Sequence, residues 1–454
     1  MTEPIRDRLS TVRRHFHRHP EPAWREFYTT ARLVEEIRAI GVDELAVGPD
    51  AYDPGDRMAV PDDDEIEPWL ERARERGADD ALLERMAGGN TGAVAVVNRG
   101  EGPAIGLRVD VDGLFVEEAT GDGHVPDAEG FRSEIDGTMH ACGHDVHMTW
   151  GLAVLEAIAD SGAGRHESRS SSERGSDGAF GGRLVVFFQP AEEVSGGGCP
   201  MAKSRFVDDL DYLLAVHVGL DHPTGEVVAG IEKPLAMCHV DVTIEGTSAH
   251  AGKAPNEGAN AMHAMGTAIE NAYGIPRHGD GMTRVNVGRA EAGTASNVIA
   301  ERAHMEAEAR GETTHLMEYV KARLERVVRS AARMHDCEAT FDVVSESPRA
   351  DSDPALVEVV ADVAREVRGT ERVVPTADFG ASEDATFLME RVQETGGLAS
   401  YLIVGTDHPT SHHTPTFDVD EASIEHGVSV LVETIRELER RHPVPRRDGA
   451  EADG

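Results

Sequence analysis

The six residues His140-Ala-Cys142-Gly-His144-Asp145 place a thiol, two imidazoles and a carboxylate in one short stretch of a 454-residue chain. That donor set suits zinc, manganese or cobalt rather than calcium or magnesium, which take oxygen ligands. Gly143 permits a tight turn, so Cys142 and His144 can face one point, and the N-terminus of the helix-like run 146–159 would lower the thiol's pKa. Three more polar islands close apolar runs: Gln189-Pro-Ala-Glu192-Glu193 after 184–188, Val216-His217-Val218 ending 212–216, and Ser411-His412-His413-Thr414-Pro415 after 401–404. Adjacent side chains diverge after Pro190, so one glutamate can bind a cation while its neighbour acts as general base on a water that the metal has acidified.

The elements that must position these groups read as α/β. Helical spacing covers 5–17 and 28–40, with Gly41 a natural stop. Short apolar runs at 93–97, 104–109, 184–188 and 213–218 read as buried strands, with the helix 146–159 between the second and third. All four polar islands then sit at or near strand ends, where open α/β sheets place their ligands. The stretch 47–89 is acidic and arginine-rich, and Trp69, Leu70, Leu82, Leu83 and Met86 give it weak helical amphipathicity; it reads as a surface elaboration or a contact between subunits. Residues 161–182, rich in Ser, Gly and Arg, read as a mobile loop, and 443–454 as a frayed acidic tail.

Residues 238–347 have the order βαββαβ of a ferredoxin-like unit, with Leu316, Val320, Leu324, Val327 and Ala331 marking one buried helix face. We therefore expect a large domain of mixed sheet flanked by helices, built from 1–237 and 348–454, with this small domain inserted.

The net charge of −39, from 83 acidic against 44 basic residues with only four lysines, argues against a nucleic-acid partner. The acid is spread along well-patterned apolar segments, which fits a solvated shell of the kind found in very salty cytoplasm rather than disorder. Four irregularly spaced cysteines argue against a disulfide framework and for a reducing compartment, and Cys199, Cys238 and Cys337 read as inert core thiols. No apolar signal region opens the chain and no run is long enough to span a bilayer, so a cytoplasmic, soluble protein is expected, without membrane partners.

Residue types alone leave three readings: a metal-dependent hydrolase, a non-catalytic amino-acid-binding or assembly protein with a structural metal, and a thiol hydrolase with Cys142 as nucleophile. A structural site would be coordinatively closed, and the extra carboxylate of Glu192 weighs against it.

The chain resembles the two-metal amidohydrolases related to aminoacylases and carboxypeptidase G, in the branch typified by the A-type chain of aminobenzoyl-glutamate hydrolase. The likeness runs from Arg13-Arg-His-Phe-His to about Arg436, through Arg57-Met58 to Asp62, Glu71-Arg-Ala-Arg, Arg108-Val-Asp-Val-Asp-Gly-Leu, Met139-His-Ala-Cys-Gly-His-Asp, Phe188-Gln-Pro-Ala-Glu-Glu, Gly246-Thr-Ser-Ala-His250-Ala-Gly, Arg284-Val-Asn-Val-Gly, Ser382-Glu-Asp-Ala-Thr, and His412-His413 with Phe417-Asp418. The resemblance implies that Cys142, His144, Glu193, His217 and His413 hold two divalent ions, manganese or zinc, with His412 the alternative to His413, and that Glu192 is the general base. It makes His250, on an inserted lid and dimerisation domain, a donor to the developing oxyanion. It makes Asn297 and Arg310 the holders of the substrate's free carboxylate. It also implies a homodimer or a hetero-oligomer with a homologous partner chain. The implied substrate is a small N-acyl or N-aroyl amino acid, with p-aminobenzoyl-glutamate the best match. Two departures stand out: 161–182 is longer than the family usually carries, and His412-His413-Thr414-Pro415 blends two variants of the C-terminal motif. The second leaves indole-acetyl and other N-acyl amino acids open as substrates.

Overall fold

The computed structural model describes residues 3–163 and 180–442. Most of the segment read as a mobile loop, and the acidic tail, lie outside the described residues. In chain order the helices are α1 (Glu3–His17), α2 (Phe27–Ile40), α3 (Asp63–Glu75), α4 (Asp80–Met86), α5 (Val125–Ala128), α6 (His144–Ala163), α7 (Gly198–Ala202), α8 (Ala261–Tyr273), α9 (Thr314–Met334), α10 (Pro354–Glu366), α11 (Ala385–Glu394) and α12 (Ala422–Arg441). The strands are β1 (Glu44–Val47), β2 (Ala93–Asn98), β3 (Ala104–Asp110), β4 (Arg183–Gln189), β5 (Tyr212–Val218), β6 (Glu226–Val228), β7 (Ile231–Glu232), β8 (Ala236–Glu245), β9 (Thr283–Ala292), β10 (Arg302–Gly311), β11 (Glu338–Ser347), β12 (Arg372–Val374), β13 (Ala377–Asp378) and β14 (Leu398–Val404).

The chain divides into two compact units: Met1–Glu232 with Ala350–Asp378 and Ala385–Gly454, and Lys233–Arg349 with Phe379–Asp384. The second unit is wider than the 238–347 that periodicity marks. The reason is local: the Leu235 N–H donates to Ala381 O and the Ser382 hydroxyl to Leu235 O, which ties a distant short segment to the approach of β8.

In the first unit an eight-stranded sheet runs β1-β2-β4-β3-β5-β14-β6-β12. Its centre, β4-β3-β5-β14, is parallel, while β1, β2 and β6 pair antiparallel with at least one neighbour. The parallel strands are buried along nearly their whole length, as apolar runs covered on both faces must be. Helix α6 is apolar on all sides because it lies against β3 and is itself covered by α1, α2 and α12. Its Trp150 is fully buried and donates to Ile424 O at the start of α12. Helix α2 ends at Gly41, left-handed at φ 82°, whose N–H returns to Ile37 O.

The acidic stretch expected as a surface elaboration contains α3 and α4. These bury Ile66, Leu70, Leu83 and Met86 against Phe27 and Val34 of α2, a small core of its own. In α3 the buried Ile66, Leu70 and Ala73 recur at four and three residues, which makes one narrow face.

The second unit is a four-stranded antiparallel sheet in the order β11-β8-β10-β9, with α8 and α9 packed on one face. Leu316, Val320, Leu324 and Ala331 of α9 are buried as expected, but at the fourth position it is Val328 that is fully buried, with the expected Val327 half-buried beside it. Val320, Leu324 and Val328 join the core formed with Val240, Val242, Met305 and Ala307 of the sheet. Among the described residues no helix is long and apolar enough to cross a membrane.

Candidate metal centre

All the sequence islands of the first unit converge at the carboxyl ends of β3, β4, β5 and β14, together with the start of α6. The turn into α6 depends on Gly143, whose φ of 84° and contact with Val218, where a Cβ would sit 2.3 Å from Cγ1, exclude a side chain. It carries Cys142 and His144 to either side. Donor atoms of Cys142, His144 and His217 lie within 4.8 Å of one another, and so do those of Cys142, Glu193 and His413. The five expected ligands thus form two triads that share the Cys142 sulfur.

Within them, Cys142 Sγ is 3.4 Å from His217 Nε2, and His413 Nε2 is 3.4 Å from Glu193 Oε2. His144 Nε2 lies 3.7 Å from Glu193 Oε1 and 3.8 Å from Glu192 Oε2, and donor atoms of these three also lie within 4.8 Å of one another, so Glu192 borders the same space although both triads are complete without it. His412 turns elsewhere: its Nε2 lies 3.2 Å from Val218 O and its ring packs on Phe417. His413 is reached because its own backbone is left-handed, φ 62°, with its N–H held by Ala141 O.

Residues that composition did not single out fix the orientation of these donors. His144 Nδ1 donates to Asp112 O at 2.9 Å and His217 Nδ1 to Val218 O at 2.7 Å, which leaves each Nε2 aimed inward. His147 bonds Asp110 through Nδ1 and accepts the Val218 N–H at 2.8 Å through Nε2, locking the end of β5 to α6. Arg108 donates to Asp110 and to Gln189, the last residue of β4. Beneath the turn, Asp145 accepts from Arg13 at 2.7 Å and from His17 at 2.8 Å, and His17 also reaches Glu118 at 3.0 Å. The Asp-x-Asp at the end of an apolar run, residues 110 and 112, was the available signal for the nearer of these partners.

The electrostatics are those of a site short of positive charge. Burial, then Asp112 and Asp110, push the Glu193 carboxyl up to about 8 against the pull of His144. Burial works against a charged His144, yet Asp110, Asp112 and Glu193 raise it to about 10. Burial, then Glu193 and Glu192, put the Cys142 thiol well above its usual range. Without a cation this runs against the lowering expected from the helix N-terminus, with burial the largest cause and the surrounding carboxylates the next. Burial lowers the His217 imidazole well below its usual value, and partial burial, then His144, lower that of the more exposed His413, which favours the neutral rings that bind metals. His144 Nε2 and Glu193 Oε1 are buried without a hydrogen-bond partner among the described residues. Orphaned donors, neutral imidazoles and carboxylates facing one another fit divalent cations, which would be bound with release of protons.

In the second unit His250 lies in the loop after β8 and is exposed. The Ala251 N–H bonds Asn297 O at 3.0 Å, which brings the His250 and Asn297 loops side by side. Arg310 is on β10, its guanidinium forked onto Glu308 at 2.6 and 2.8 Å.

A family model described as Peptidase family M20/M25/M40 matches residues 106–437, and the chain belongs to that family. It is 35% identical over 430 residues to the A-type p-aminobenzoyl-glutamate hydrolase homolog of Haemophilus influenzae, covering 94% of this chain and 97% of that one. It is 36% identical over 440 residues to the indole-3-acetyl-aspartic acid hydrolase of Enterobacter agglomerans, covering 96% of each. The crystal structure of an aminobenzoyl-glutamate utilization protein from Klebsiella pneumoniae superposes with a TM-score of 0.79 at 32% identity, over 98% of both chains. A dinuclear metal-binding M20 peptidase from Bacillus subtilis shares the fold, with a TM-score of 0.66 at 20% identity over 97% of this chain and 99% of that one.

Proposed function

We propose that this protein is a two-metal amidohydrolase that cleaves the amide bond of an N-aroyl amino acid, with p-aminobenzoyl-glutamate the best-supported substrate. The observation that carries the reading is the pair of donor triads sharing Cys142, with Glu192 bordering them. Cys142, His144, Glu193, His217 and His413 would hold the cations. Manganese or zinc there supplies Lewis-acid polarisation of the amide carbonyl and acidifies water.

Glu192 takes the proton of the attacking water and delivers it to the departing amine nitrogen, as a half-buried carboxylate at the edge of the site can do. His250 donates to the oxyanion, and Asn297 and Arg310 hold the free carboxylate of the amino acid, a role suited to the planar guanidinium. In that role Arg310 exchanges Glu308 for the substrate.

A second substrate reading, an indole-acetyl or other N-acyl amino acid, is favoured by the equal likeness to the indole-3-acetyl-aspartic acid hydrolase. Assembly is proposed through the second unit, whose β9 ends its sheet and whose α8 exposes Met262 and Tyr273, 47% and 49% accessible. The partner is a second copy or a homologous chain, the latter supported by relatives whose names describe them as one subunit of a hydrolase. The acidic composition supports a cytoplasm of high salt.

The test is hydrolysis of a panel of N-aroyl and N-acyl glutamates and aspartates before and after dialysis against a chelator. The expected result is turnover of p-aminobenzoyl-glutamate that chelation abolishes and manganese or zinc restores. Activity indifferent to chelation but lost on alkylation of Cys142 would replace it with the thiol mechanism.

A further inference from the structure

The peptide that carries Glu192 is held by two buried carboxylates, neither of them in the five-ligand set. The chain turns at Ala191, a non-glycine residue in the left-handed region at φ 56°. Three successive amides follow. The N–H of Ala191 donates to Glu26 Oε1 at 2.8 Å, and those of Glu192 and Glu193 donate to Asp112 Oδ1 and Oδ2 at 3.1 and 3.0 Å. The second oxygen of Glu26 accepts from Thr91 Oγ1 at 2.6 Å, and the Gly92 N–H bonds Thr30 Oγ1 at 2.9 Å, one turn further along α2. The start of α2 is thereby bolted both to the loop after β4, through Ala191, and to the approach of β2, through Thr91 and Gly92.

Glu26 stands where the N-cap of α2 belongs, yet its side chain makes no capping bond. Capping falls to Glu21, whose two oxygens accept the N–H groups of Tyr28 and Thr29 at 3.1 and 2.7 Å. The carboxylate of Glu26 therefore serves the loop and not its own helix. Its position is a costly one, fully buried and with Asp112 near, and burial and that neighbour raise it to about 8. An apolar side chain would fill the space without that cost, but would leave the Ala191 amide buried and unsatisfied.

We propose that Glu26 is a positioning residue: by accepting the Ala191 N–H it fixes the peptide that aims Glu192, and so sets the rate of the proton transfer without touching substrate. This rests on Glu192 being the base. The experiment measures kcat, KM and bound metal for the full-length, metal-loaded protein and for Glu26→Ala, Glu26→Gln, Thr91→Val and Glu192→Gln.

A glutamine keeps an oxygen for Ala191 and an amide that can donate to Thr91 Oγ1. The expectation is a fall in kcat of about 30- to 100-fold in Glu26→Ala, at a KM within about threefold and with unchanged metal content, and recovery to within about fivefold in Glu26→Gln. Glu26→Ala within about twofold of the parent kcat, or Glu26→Gln as impaired as Glu26→Ala, overturns the proposal. If Glu26→Ala does not fold, Thr91→Val decides: a several-fold lower kcat at constant KM supports it, and an unchanged kcat overturns it. Normal turnover in Glu192→Gln removes the base assignment and the proposal with it, whereas lost turnover there beside a normal Glu26→Ala overturns Glu26 alone.

Discussion

A sulfur common to two donor triads has a spectroscopic consequence, because a thiolate bound to cobalt gives a charge-transfer band that oxygen and nitrogen ligands do not. Cobalt-loaded protein should show that near-ultraviolet band, and Cys142→Ser should lose it together with most of the bound metal. A band that survives the substitution would place the metal elsewhere. At this scale the sequence is informative where chemistry is local. Thiol, imidazole and carboxylate in six residues announce themselves, and His413 rather than His412 faces Glu193. What stays hidden are groups whose role exists only after folding. Asp110, Asp112 and His147 are common residues whose meaning comes from which strand end meets which helix. The thiol's pKa moves against the sequence expectation for the same reason, since the burial that raises it most, and the carboxylates after β4 that add to it, exist only in the folded chain.

Among the elements, the central strands and the βαββαβ unit are legible because their apolar periods are long and uninterrupted. The short strands β1, β6 and β12, three or four residues each, carry too little pattern to be seen. The satellite core under α3 and α4 is hard to see because each helix buries only a narrow stripe.

On β10 the Glu308 carboxylate makes a prediction about this second unit. His239 and Arg310 hold it at about 2, below its ordinary 4.5. A depressed folded-state pKa contributes stability that is present above the unfolded value and is lost as pH falls through the folded one. Glu308→Gln should therefore lower the unfolding midpoint at neutral pH, modestly because the pair is partly exposed to solvent, and the gap from the parent should close between pH 4.5 and about 2. A gap constant over that window would show that the ion pair contributes nothing. The proposed assembly surface has its own check: Met262→Asp should shift the protein towards monomer in sedimentation, and an unchanged distribution would move the interface off α8.

For the whole molecule, a net charge of −39 means that like charges oppose the compact state at low ionic strength. Raising salt from about 0.1 to 1 M shortens the screening length from about 10 to 3 Å, so the unfolding temperature should climb with potassium chloride. A midpoint independent of salt would argue that the acidic shell is not an adaptation to it.

The proposed hydrolysis depends most on Glu192 acting on water beside cations held by other residues. Turnover of p-aminobenzoyl-glutamate by metal-loaded Glu192→Gln, measured together with its metal content, tests this directly. Two ions per chain with kcat reduced by about 100-fold or more is the expected result. Two ions with undiminished turnover would contradict it.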